Sequence, residues 1–149
     1  MNIFVLDRDP MIAAQYHCDR HIVKMILESA QMLSTATGMG YKPTHHNHPC
    51  TLWVKQSAQN ALWLHQLAFY LNREWQERYG HKNNHKSWEV IKTLDYGMLP
   101  DRDMTPFAQA MPDDYKRADP VQAYRDYYRG EKSDIATWRN NTPDWWYTQ

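Results

Sequence analysis

The stretch Asp9–Thr37, DPMIAAQYHCDRHIVKMILESAQMLSTAT, decides the fold. It opens on Asp9-Pro10, a side-chain acceptor for the N-cap followed by the one residue that loses nothing in a first helical turn. It closes on Gly38 and Gly40, which supply left-handed stops. Continuous helix from Pro10 to Thr37, roughly 28 residues, would run about 42 Å. At 100° per residue, His17, His21, Lys24, Glu28, Gln31 and Thr35 fall within an arc of about 80°. Ile12, Ala13, Cys18, Ile22, Val23, Met25, Ile26, Ala30, Met32 and Leu33 occupy most of the remaining girth. A helix so broadly apolar belongs at the centre of a protein, with its polar strip turned toward a sheltered hollow.

His21, Lys24 and Glu28 therefore put an imidazole, an ammonium and a carboxylate on one wall. Two readings compete. Lys24 and Glu28 form an ordinary i,i+4 ion pair on a solvated strip, worth about 0.3–0.5 kcal/mol. Alternatively, burial and mutual proximity tune the three groups for proton transfer and nucleophilic attack. Asp19 lies toward the apolar side and is expected to hold another residue or a loop.

The rest of the chain is punctuated as helices. Asn47-His48-Pro49 starts a short one through CTLWVKQ, and Ser57 starts a long one that ends at Gly80. Lys86–Leu94 is helical, residues 98–118 with three prolines are irregular, and Asp119-Pro120 repeats the first start signal. Helix is expected to stop before Gly130, with another turn or two in 132–140. Only Asn2–Leu6 looks extended, too short for a sheet. The expected architecture is all-α, a compact single domain (1–149) of four or five helices with long irregular connections.

Composition narrows the function. With 17 Lys+Arg against 17 Asp+Glu, the formal net charge is zero, which argues against coating nucleic acid by bulk charge but permits a local basic patch. Seven Trp and ten Tyr against three Phe suit both a core and a substrate cleft. No run of about eighteen apolar residues is present, and the start lacks a basic leader, so a cytoplasmic monomer without a membrane span is expected. Cys18 and Cys50 lack a CxxC partner and read as small buried residues.

Three histidines gather in THHNHPC, residues 44–50. His17 and His21 have the i,i+4 spacing of a zinc pair, but Cys18 stands where the zinc-hydrolase motif needs Glu. No metal or cofactor is therefore expected. His45, Asn47 and His48 sit at a helix start, where free N–H groups attract phosphate, or else they simply cap that helix. Arg78, His85 and Lys86 could contact phosphate from a helix end or merely offset its dipole. Arg125 and Lys132, among tyrosines, suit gripping phosphate, and Trp145 and Trp146 suit base stacking or docking of the tail. Residues 100–149 carry nine Asp/Glu against seven Lys/Arg, which favours a narrow groove or nucleotide pocket over a broad DNA surface.

With helices so placed, the chain resembles the small phage-type pyrimidine-dimer DNA glycosylases, the endonuclease V type. The likeness is architectural and spans most of the chain: compact all-α build, a packed N-terminus, an aromatic tail, and His48 through Trp53 and Asn60–Leu64 to Arg78-Tyr79-Gly80 laid out like the family's central helix. The resemblance implies that an N-terminal α-amine attacks C1′ of a damaged nucleotide, forming an imine that leads to strand cleavage, with a first-helix Glu assisting. Glu28 is the counterpart of that Glu. The family exposes a small second residue after removal of Met; Asn2 is larger, so the amine would be that of Met1, with Lys24 as a substitute amine on the Glu28 wall.

The expectation is a DNA N-glycosylase, with AP-lyase activity, acting on a damaged or modified pyrimidine: Glu28 as acid/base, Met1 or Lys24 as nucleophile, His21 as proton carrier. Extrusion of the base from the stack precedes attack on its glycosidic bond. The alternatives are a hydrolase or transferase acting on free nucleotides or nucleosides, and a non-enzymatic phage protein that binds a host factor.

Overall fold

A computed structural model describes residues 1–148. Among them are six α-helices and no strand: α1 Pro10–Tyr16, α2 Asp19–Thr37, α3 Pro49–Gln56, α4 Ala58–Tyr79, α5 Lys86–Ile91 and α6 Pro120–Glu131. Short 3-10 turns occupy Asp113–Tyr115 and Asp144–Tyr147. The start signals act as their chemistry requires. Asp9, His48, Ser57, His85 and Asp119 each accept a first-turn N–H with the side chain. Gly38 and Gly80 close α2 and α4 at φ 72° and 71°, where a Cβ would be strained.

α2 is the central helix and packs against α3, α4 and α5, while α1 lies on α4. Ile22, Ile26, Ala30 and Leu33 are fully buried along it. The N-terminal segment, Asn2–Leu6, is buried beside it without regular structure. Phe4 stacks on His21 at 4.5 Å between centroids and meets Tyr124 and Tyr128 of α6 edge-on.

The continuous first helix expected from Asp9-Pro10 is in fact two. His17 and Cys18 turn extended, at ψ 134° and 161°, and separate α1 from α2. Groups distant in sequence satisfy the backbone at the break. Arg78 donates to the carbonyls of Gln15 and His17 at 2.9 and 2.7 Å, and Trp138 to that of Tyr16 at 2.9 Å. The Tyr128 hydroxyl receives Cys18 N–H at 3.3 Å, and the Thr137 carbonyl receives Asp19 N–H at 2.8 Å. These partners outweigh the intrahelical bonds lost. Three smaller corrections concern helix ends: α6 runs through Gly130 to Glu131, and 132–140 is turn and coil rather than helix. α5 stops at Ile91, three residues short of the expected Leu94.

Arg78 is the clamp of this junction, its side chain 2% exposed between Asp19 at 3.1 Å and Glu74 at 2.9 Å. Arg78→Ala leaves the buried Asp19 carboxylate without its counter-cation and the His17 carbonyl without its guanidinium donor, and is expected to cost about 3–5 kcal/mol in urea unfolding. Arg78→Lys should recover only part of that, because an ammonium cannot reproduce the guanidinium fork.

Two buried imidazoles make the fold acid-sensitive. Burial lowers His17 to about 4 and His21 to about 3. The unfolded chain binds protons on both rings near 6.5 while the folded chain does not, so stability is full above that pH and falls as pH drops toward 4. Urea melts from pH 7 to 5 should lose about 2 kcal/mol per ring. Unchanged stability across that window would contradict neutral buried rings.

Candidate active site at the head of the chain

Glu28 comes from the third turn of α2, and its side chain is 8% exposed. Its Oε1 accepts the Asn2 backbone N–H at 2.9 Å and lies 3.3 Å from the Met1 amine; its Oε2 lies 3.7 Å from Lys24 Nζ. Three nitrogens thus converge on one sheltered carboxylate. Asn2 fixes the approach. Its Oδ1 accepts from Ile3 N at 2.8 Å and from the Tyr124 hydroxyl at 2.9 Å, and its Nδ2 donates to the Ala110 carbonyl at 2.8 Å. Cys50 Sγ approaches the same Oδ1 at 3.6 Å. Burial pushes the Cys50 thiol up to about 11, so it serves as a packed donor rather than a thiolate.

His48 completes the near wall. Its Nδ1 accepts Cys50 N–H at 3.1 Å and caps α3. Desolvation lowers its pKa most, followed by the nearby chain-terminal amine and His45, while Glu28 and a hydrogen bond to the Met1 backbone oppose the shift. His45, exposed at φ 51°, and exposed Asn47 occupy the loop in front of it.

The structure thus brings together Met1, Lys24, Glu28, His48 and, beside them, His45. It places the other expected site residues elsewhere. His21, expected as a proton carrier, is a neutral ring whose Nδ1 lies 2.6 Å from the Tyr128 hydroxyl, and it seats Phe4. His17 leaves the wall at the break between α1 and α2. Arg78 is the internal clamp and not a phosphate ligand. His85 caps α5 by accepting Ser87 N–H and lies against Trp75, with Lys86 exposed beside it. Arg125 donates to the Leu6 carbonyl at 2.9 Å and to Asp7 at 3.1 Å. Trp145 is buried beneath Arg125 and Arg129 and against Tyr16, so it has no free face for a base. Trp146 is half-buried against Trp138. Lys132 sits over the Tyr127 ring.

Sequence reasoning missed Asn2 and Tyr124. The one available signal was a polar residue heading the apolar run Asn2–Leu6, which has no reason to be buried unless its amide is used.

A model of the pyrimidine dimer DNA glycosylase family matches residues 1–88, and the chain belongs to that family. The matched part carries every residue around Glu28 except Ala110 and Tyr124. No curated protein and no solved structure matches the chain significantly.

The contacts of Glu28 differ in worth. Glu28→Gln turns an acceptor pair into a half-donor facing N–H groups and is expected to cost about 1–3 kcal/mol of stability. Lys24→Ala, which removes a side chain 63% exposed, should cost less than about 0.5 kcal/mol. Denaturant melts of the two variants check the ranking.

Proposed function

We propose that the protein is a DNA N-glycosylase with AP-lyase activity acting on a damaged or modified pyrimidine, with the amine at the chain head as nucleophile. The observation that carries this reading is the Met1 amine 3.3 Å from the sheltered Glu28 carboxylate. Attack of the free amine on C1′ displaces the base, and the sugar opens to an imine from which the strand is cleaved by elimination. Glu28 takes the proton from the attacking amine and stabilises the positive charge that develops on the sugar.

Lys24 is the lesser candidate for the nucleophile. It extends toward solvent, its side chain 63% exposed, and lies 3.7 Å from Glu28 against 3.3 Å for the Met1 amine. Asn2 N–H meets the same Glu28 oxygen, so an amine at residue 2, were Met1 removed, would reach the same carboxylate. Between free nucleotide and duplex, the family match favours DNA. Lys86, His45, Asn47 and Trp146 remain outward-facing candidates for contact with it.

Borohydride trapping on a duplex carrying a pyrimidine dimer or an abasic site tests the proposal. A covalent protein–DNA adduct is expected from the parent and from Lys24→Gln, with peptide mapping placing the link on the N-terminal peptide. Glu28→Gln should slow base release by about 10²-fold or more. Absence of any adduct would remove the imine mechanism, and an adduct lost in Lys24→Gln would move the nucleophile to Lys24.

A further inference from the structure

The α2 face beyond Glu28 carries cations that the amine chemistry leaves unused. Arg20 and Lys24 of α2 and Arg139 of the tail segment line one open recess of about 620 Å³, with Val23 and Tyr79 among its apolar walls. Asp19 also lines it, but its charge is committed internally: Oδ1 accepts from Arg78 at 3.1 Å and from Arg139 N–H at 3.0 Å, and Oδ2 from Thr137. Arg20 is exposed and has no acidic partner among the described residues. The Arg139 guanidinium lies over the Tyr79 ring at 4.5 Å and gives one N–H to the Arg78 carbonyl. Tyr79 in turn is fastened to the Asp19 carbonyl, so the arginine rests on a fixed plate. Lys24 joins the recess to Glu28 across 3.7 Å.

We propose that this recess grips the DNA backbone beside the attacked nucleotide, with Arg20 and Arg139 as phosphate ligands. The proposal rests on the glycosylase reading and names the part of the surface that holds its substrate. A fixed guanidinium matches the paired oxygens of a phosphodiester, and the apolar walls suit the intervening sugar. Arg139 lies beyond the family-matched residues, so the tail supplies one of the two phosphate ligands.

The test is binding of a lesion-free duplex by fluorescence anisotropy at 50–200 mM salt, for the parent, Arg20→Gln, Arg139→Gln and the charge-matched control Lys92→Gln. Each recess variant should flatten the slope of log K against log salt by about 0.9, so that its weakening over this range is about threefold smaller than the parent's. The control should keep the parent slope. Parent slopes in both recess variants, or no duplex binding by the parent, would overturn the proposal. Trapping at saturating DNA separates the two readings. Flattened slopes with no adduct from the parent would sink the glycosylase mechanism and keep the track; a parental adduct with unchanged slopes would do the reverse.

Discussion

A carboxylate withdrawn from water holds the head of the chain, and the arrangement around it follows from that constraint. Removing a carboxylate from solvent costs several kcal/mol unless it is paired and hydrogen-bonded. Glu28 meets the requirement with a backbone N–H, an α-amine and a lysine. The N-terminal segment meets its own requirement in return. Asn2–Leu6 is buried without helix or sheet, so its backbone polar groups need partners from side chains, and Glu28, Asn2 and Arg125 provide them. Neither the polar strip of α2 nor the chain head is satisfied without the other. A chain terminus that would ordinarily fray is thereby held in a defined place.

The second half of the chain enforces this placement. Tyr124 anchors Asn2, Tyr128 binds His21, and His21 stacks under Phe4, so α6 fixes the terminal segment from the far side. Both tyrosine hydroxyls stay protonated because burial pushes their pKa values well above 10. The break between α1 and α2 belongs to the same device. Arg78, Trp138, Tyr128 and Thr137 close it, and it redirects the chain so that His17 packs inward.

Features written in local chemistry were legible in the sequence. The Asx-Pro starts at Asp9 and Asp119, the Ser57 cap and the glycine stops at 38 and 80 all mark real helix ends, because each depends on groups a few residues apart. Lys24 and Glu28 could be placed on one wall because both lie within α2. Features that depend on partners sixty or more residues away were not legible. Nothing near His17 announces that Arg78 will take its carbonyl, so helix periodicity was carried across a break. The same limit hid the commitment of Arg125 to Leu6, which reads as a free ligand when only its neighbours in sequence are seen, and left Trp145 open between base stacking and docking of the tail.

The zero net charge also takes on a different meaning in three dimensions. Five of the acids are spent on internal partners: Asp19 and Glu74 on Arg78, Asp7 on Arg125, Asp126 on Arg117 and Arg129, and Glu28 on the chain head. Several of the arginines they hold are structural too, so these charges cancel pairwise and add little to the field at the surface. What remains around α2 is an excess of cations at Arg20, Lys24 and Arg139, with the nearby acids already neutralised. A field of that kind is short in range and confined to one side, because its screening length in physiological salt is about 8 Å. It would draw a polyanion to the Arg20–Lys24 face of α2, next to Glu28, without making the whole surface adhesive, which a uniformly basic protein cannot avoid.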